Sequence, residues 1–302
     1  MKCLSVVSAR TEAYLKLSLI PLLLGLAACA SSNNDDDPTA CDSGEKASDS
    51  YCVEYIPGGA MAEQVGKNTF TLHIDKRADN TPATGLTVNL VPVMHMVGGM
   101  NHATPDEDCI ESATTAGDYL CTIYYVMASE MNGVAMGDWA LTAVIGGESV
   151  SFSPKVMMTM GDTVMAKLKG VSDLIPGMTG SDEPRTYYLF KDGMASTDSF
   201  GLFIAARESM MGFPAAYLNQ TFNSGTAYEL TVASMAVEAS SDDGTTWLAA
   251  NDEGQGHWRI SGLGLTAGMA NTLRVRLTVN SETKTLDGTG AGQDYQTFTV
   301  TP

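Results

Sequence analysis

Residues 91–105 gather the side chains of this chain best suited to holding a soft metal. Met94, His95, Met96, Met100 and His102 fall close together there, in a chain with only four histidines. Thioether sulfur and imidazole nitrogen suit Cu(I) or Ag(I), and unlike thiolates they are not lost to disulfide formation in an oxidising compartment. If residues 91–96 are extended, Met94 and Met96 share one face and His95 takes the other. Gly98 and Gly99 then allow a reversal that brings Met100 and His102 back toward the Met94/Met96 face. Two or three thioethers with one imidazole make a three- or four-coordinate Cu(I) site, with His95 either an outward ligand of a second site or a bystander. Calcium and magnesium prefer oxygen ligands and fit poorly. Asp106, Glu107 and Asp108 follow closely and serve either a harder ion or the solvation of the loop.

The chain is rich in methionine, with 18 in 302 residues. Met127, Met131 and Met136 form another cluster, and Met157, Met158, Met160 and Met165 a third. Methionine is an adaptable core filler, so core packing is the expectation for the third cluster; period two would place Val156, Met158 and Met160 on one face of a strand and Met157 on the other. The remaining histidines, His73 in mid-strand and His257 beside Trp258, read as half-buried structural residues.

The elements that must position these side chains are strands. Residues 69–74, 86–91, 119–125 and 139–145 alternate polar with apolar, aromatic or β-branched residues between Gly, Asn, Asp and Pro clusters, and the pattern returns at 186–190, 228–232, 256–260, 273–279 and 295–300. Long helical periodicity is absent, and Pro214 limits residues 210–218 to a short helix or an irregular loop. The expected fold is all-β: two tandem immunoglobulin-like β-sandwich domains after an N-terminal signal and a disordered tether. The boundaries read as signal 1–28, acidic flexible tether 29–54, first sandwich with the Met/His loop 55–169, linker 170–185 and second sandwich 186–302. A short echo between Gly137-Asp138-Trp139 and Gly256-His257-Trp258 loosely aligns the halves.

Lys2, Arg10 and Lys16 precede an apolar run at 17–28 that is too short for a stable membrane span, which is the pattern of a secretory signal. Leu26-Ala27-Ala28-Cys29 resembles the lipobox of bacterial lipoproteins. That resemblance implies lipidation of Cys29, and Ala30 and Ser31 after it favour the outer membrane, with the protein facing the periplasm or the cell surface. Removing residues 1–28 takes Lys2, Arg10, Lys16 and Glu12 and leaves 14 basic and 34 acidic residues, a formal charge of −20. So acidic a surface excludes nucleic acid as a natural partner. Four cysteines remain after Cys3 and Cys29, and the nearest-neighbour pairing Cys41–Cys52 with Cys109–Cys121 is the simplest of their three connectivities.

Residues 69–160 resemble the small periplasmic β-sandwich domains grouped as YtkA-like or FixH-like, through Pro92, Met94, His95, Met96, Met100, His102 and the Gly-x-Trp at Gly137 to Trp139. They also resemble, in kind, periplasmic copper chaperones with Met and His ligands. Val93 stands where the first pattern has proline, and the Met/His spacing differs from that of the chaperones. The resemblance implies Met94, Met96, Met100 and His102 as ligands. No nucleophile elbow, His-Glu-x-x-His helix, phosphate-binding glycine loop or free cysteine is present, so a binding protein is expected rather than an enzyme. The first expectation is Cu(I) capture or trafficking with a copper-handling partner. The alternative is an interaction lipoprotein presenting tandem sandwiches to a protein or glycan, without metal.

Overall fold

Alternation becomes sheet here because it lets one face of each strand reach a shared core. In Gly66–Lys76, Phe70, Leu72 and Ile74 are fully buried while Thr71, His73 and Asp75 face outward; burying such an apolar side chain contributes about 2–3 kcal/mol. A computed structural model describes residues 40–59, 62–193 and 195–302, and among these no residue is helical.

The first sandwich contains β1 (Tyr51–Pro57), β2 (Gly66–Lys76), β3 (Val88–Met96), β4 (Asp106–Glu111), β5 (Asp118–Tyr125), β6 (Gly137–Ile145) and β7 (Glu148–Phe152). Its antiparallel sheets run β1-β2-β5-β4 and β7-β6-β3. The second contains β8 (Met165–Pro176), β9 (Asp182–Lys191), β10 (Ser199–Ala206), β11 (Met235–Ser240), β12 (Leu248–Ala249), β13 (Asn251–Gly254), β14 (His257–Ser261), β15 (Asn271–Val279) and β16 (Gln296–Val300). There the orders are β8-β9-β10-β14-β13 and β12-β11-β15-β16. Apart from the added edge strand β8 and the short β12, both units put strands one, two, five and four in one sheet and three, six and seven in the other. This is the immunoglobulin Greek key, so the chain is all-β with tandem immunoglobulin-like sandwiches.

That topology corrects the alignment of the halves. Trp139 lies on β6, the sixth strand of its unit, whereas Trp258 lies on β14, the fifth strand of the other unit and in the opposite sheet. The two tryptophans are not equivalent. Three boundaries also move. The tether expected to reach residue 54 ends earlier, because Cys41 is joined to Cys52 and Tyr51–Pro57 pairs along its whole length with β2. The stretch 170–185 is not a linker but most of the β8–β9 hairpin. Its broken alternation is a bulge between Lys169 and Leu174, followed by the turn at residues 177–181. The connection between sandwiches is instead residues 153–164, and there Met157, Met158 and Met160 lie 44%, 48% and 91% exposed. The core strand expected for this methionine cluster forms only from Met165 onward, where Met165 packs against the core; residues 156–164 run irregularly apart from a bridge between Met157 and Gln64, with Val156 buried and Val164 partly buried in the core. Both expected disulfides, Cys41–Cys52 and Cys109–Cys121, are formed. The signal and Cys29 lie outside the described residues.

The sandwiches meet through aromatic rings. β9 is buried on both faces from Arg185 to Phe190: Tyr187 and Leu189 enter its own core, while Tyr188 and Phe190 join Phe203 against Tyr124 of β5. Tyr124 and Phe203 stack with centroids 4.0 Å apart.

Candidate metal centre

The soft-ligand stretch folds as its spacing demands. β3 is followed by a tight turn, and Asn101–His102 returns beside it with Met94 opposite His102 and His95 opposite Asn101. One position further, the Met96 amide donates to the Met100 carbonyl at 2.9 Å. Cross-strand partners share a face and successive residues alternate, so Met94, Met96, Met100 and His102 lie on one face. His95 lies on the other, exposed, with Nδ1 3.0 Å from the Asn101 side-chain oxygen. The four are graded in depth: Met94 is fully buried, Met96 half-buried and Met100 48% exposed, while His102 is only 4% exposed.

On the other side of β3, Trp139 pairs with Met94 and Gly137 with Met96. A side chain at Gly137, where φ is +156°, would place its Cβ 2.4 Å from the His95 carbonyl oxygen, so glycine is required for β6 to pass this close to the hairpin. The Trp139 indole N–H donates to the Met127 carbonyl at 3.1 Å, and its ring lies edge-on to His102, with centroids 5.3 Å apart. Met127 and Met136 pack against the same core. Beside them opens a cleft of about 440 Å³ bordered by Val97, Glu130, Gly137, Asp138, Trp139 and Lys155.

His102 is the most telling residue. Its Nδ1 lies 2.9 Å from the Ala103 carbonyl oxygen. A carbonyl only accepts, so Nδ1 carries the hydrogen and Nε2 is left as a lone pair. Burial lowers the pKa, outweighing the Ala103 carbonyl, which favours the charged ring, so the imidazole is neutral. Nε2 is buried with no hydrogen-bond partner. An unpaired buried polar atom costs about 1–3 kcal/mol, and a neutral imidazole fixed by a carbonyl at its other nitrogen is the form in which histidine ligates metals.

The other groups do different work. His73 is paired with Asp118 at 2.6 Å and Asp75 at 3.4 Å, a satisfied strand residue. Glu107 does not combine with Asp106 and Asp108 into a hard-ion site, because it accepts from the Tyr124 hydroxyl at 2.6 Å and faces His257 Nε2 at 3.1 Å. Among the described residues, Cys41, Glu45 and Cys52 form the one cluster of His, Cys, Asp or Glu atoms close enough to share an ion, and its two sulfurs are tied up in a disulfide.

Two polar clusters escaped the sequence reading. At the joint between sandwiches, His257 Nδ1 faces Asp192 at 2.8 Å, and Lys67 Nζ reaches the same carboxylate at 2.5 Å. The hydrogen bonds to Asp192 and then Glu107 push the His257 pKa up to about 9. In the second sandwich, Asp173, Arg185 and Lys284 are all buried. Both clusters join residues many tens of positions apart, and no local pattern announces them.

No family model and no curated protein matches this chain. Among solved structures, the titin domains z1z2 in complex with telethonin match at 9% identity over 84% of this chain and 95% of that one, with a TM-score of 0.21. The surface layer protein SbsC, domains 4-9, matches at 14% identity over 85% of this chain and 31% of that one, with a TM-score of 0.23. The tandem Ig repeats of Dlar match at 8% identity over 77% and 91%, with a TM-score of 0.21. Likenesses at this level do not bear on what this chain binds.

Proposed function

We propose that this chain is an exported protein, anchored in the outer membrane through a lipid on Cys29, that captures Cu(I) on its first sandwich and passes it to a copper-handling partner. The observation that carries the reading is the buried, unpartnered Nε2 of His102 on the same hairpin face as the sulfurs of Met94, Met96 and Met100. The donors are soft and neutral, and they match Cu(I) in kind. Bound there, Cu(I) would supply the missing partner for Nε2.

The chain's own residues divide the work by depth. Met100, at the exposed tip, meets incoming metal. Met96 bridges tip and interior, and His102, held rigid by the Ala103 carbonyl, is the fixed ligand. Met94 closes the site from the core, and the edge of Trp139 keeps water from the imidazole. A flexible exposed thioether beside a fixed imidazole suits a site that must release metal to a partner. His95, facing the opposite way, is no part of the site.

Anaerobic titration of the protein with Cu(I) against a chromogenic chelator tests this, together with Met96→Leu/Met100→Leu and His102→Leu variants. Leucine keeps the volume of methionine and removes the sulfur. One tightly held Cu(I), weakened in both variants while the fold is retained, supports the reading. Failure of the wild-type protein to compete with the chelator overturns it and leaves the metal-free interaction lipoprotein, whose tandem sandwiches would be presented to a protein or glycan partner.

A further inference from the structure

The second sandwich buries three formal charges, with the half-buried Glu282 beside them, where its two sheets meet. Arg185 is 0% and Lys284 1% exposed, and Asp173 lies between them at 6%. Arg185 Nε donates to Asp173 Oδ1 at 2.8 Å, and its remaining nitrogens bind the Asn223 side chain at 2.7 Å and the Tyr228 carbonyl at 3.0 Å. The other carboxylate oxygen, Oδ2, accepts from the Tyr187 hydroxyl at 2.7 Å and stands 3.4 Å from Lys284 Nζ. Glu282 Oε1 accepts from the same Nζ at 2.7 Å, and the Glu282 carboxylate is fixed by the amides of Val171 and Ser172. The Tyr187 ring closes the other side, 5.1 Å from Nζ.

The backbone is shaped to make this meeting. Asp173 sits in the β8 bulge, where a Cβ on Gly170 would come within 2.7 Å of the Asp173 Cβ; only glycine lets the carboxylate fold inward. After β15 the chain reverses through Asn280 and Ser281, both at positive φ, and residues 282–285 run back along β15 while Thr285 pairs with Lys169 of β8. Lys284 therefore stands at the seam between the two sheets, held from both sides.

We propose that Lys284 and Asp173 condense into an intramolecular amide, a covalent cross-link between the first strand of the second sandwich and the return after β15. The Lys284 ammonium gives a proton to Glu282, and the freed amine attacks Asp173 Cγ. Arg185 and Tyr187 hold the two oxygens of the tetrahedral intermediate, on which charge builds. Oδ2 then departs as water with two protons from Nζ, one of them relayed by Glu282, and Nζ keeps one hydrogen in the amide. One ammonium and one carboxylate become one neutral amide and one water; no electrons are exchanged, and Arg185 stays bonded to the surviving oxygen. Fixed proximity supplies the rate. Loss of a charge pair from a medium that solvates it poorly supplies the drive.

Mass spectrometry of the full chain, digested with trypsin, reads the outcome directly. The cross-linked protein yields residues 170–185 joined to 277–302, at the summed mass less one water and uncut after Lys284. Lys284→Arg keeps the charge and cannot condense in this way, and Glu282→Gln keeps the shape and removes the relay; the joined peptide is expected to vanish in the first and to fall at least tenfold in the second. A folded wild-type protein that releases 277–284 as a free peptide, with no joined species, overturns the proposal. An undiminished yield in Glu282→Gln overturns the assigned relay.

Discussion

The two sandwiches share one topology and are fastened by opposite means. The first carries all four cysteines of the described residues, paired as Cys41–Cys52 and Cys109–Cys121, and Met94, Met96, Met100 and His102 gather at one hairpin. The second has no cysteine, and buries Asp173, Arg185 and Lys284 instead. A disulfide removes disorder from the unfolded chain and depends on the redox state of its surroundings. A buried ion cluster is indifferent to reductant but vulnerable to the loss of any one charge, and the amide proposed to form from it is likewise indifferent to reductant. One fold thus has two independent locks, and each fails to a different insult.

The largest effect should come from the charge lock. Asp173→Ala leaves Arg185 and Lys284 buried without their shared carboxylate, and breaking a buried pair in this way costs about 3–5 kcal/mol. Chemical denaturation followed by hydrogen exchange should show the loss in strands β8 to β16 and little change in β1 to β7. An equal loss in both sandwiches would erase the contrast. Next comes the redox lock: Cys109→Ala/Cys121→Ala opens a short loop and should cost about 3 kcal/mol in the first sandwich alone, as should reductant.

The joint gives a smaller effect that depends on pH. His257 faces Asp192 and Glu107, and Lys67 shares Asp192. The folded pKa of His257 is about 9, above its ordinary 6.5, so folding takes up a proton between those values. Its contribution is fully present below pH 6.5 and is lost as pH rises through 9. Asp192, whose burial is outweighed by its bonds to His257 and Lys67, titrates near 2 and stays a carboxylate throughout that window. For a half-buried site the linked stabilisation is about 2 kcal/mol after allowing for solvent screening. Urea unfolding at pH 6 and pH 10 should show this difference in the wild type and not in His257→Gln; an identical pH response would detach His257 from the joint.

What the sequence could show follows the range of each interaction. Alternation over a handful of residues revealed the strands, and the spacing of Gly98 and Gly99 after Met96 foretold that Met94, Met96, Met100 and His102 share a face. Cysteine pairs 11 and 12 positions apart were equally local. The bulge at Gly170 to Asp173 broke the alternation and passed for a linker, because its purpose is to turn Asp173 toward Lys284, 111 positions away. Phe190 is buried against Tyr124 of the other sandwich and Tyr188 against Phe213 in the same cluster, so no pattern within β9 tells a core face from an interface. Met157, Met158 and Met160 misled for the converse reason: methionine alternates as a core strand does, but these three side chains lie exposed on the connecting segment.

The smallest effect on stability should separate the two roles of Met94. This residue is fully buried beside Leu90, Trp139 and Leu141, and as an apolar filler it is replaceable. Met94→Leu conserves volume, so the first sandwich should lose less than about 1.5 kcal/mol, well below the cost of opening the Cys109–Cys121 bridge. As a ligand it is not replaceable, because leucine offers no lone pair, and Cu(I) affinity against the chelator should fall at least tenfold, a free-energy change of about 1.4 kcal/mol in binding. Unchanged affinity would make Met94 core alone and confine the site to Met96, Met100 and His102 at the rim. Lost affinity in a protein that unfolds like the wild type would show that the interior of the first sandwich holds a ligand where the second holds charge.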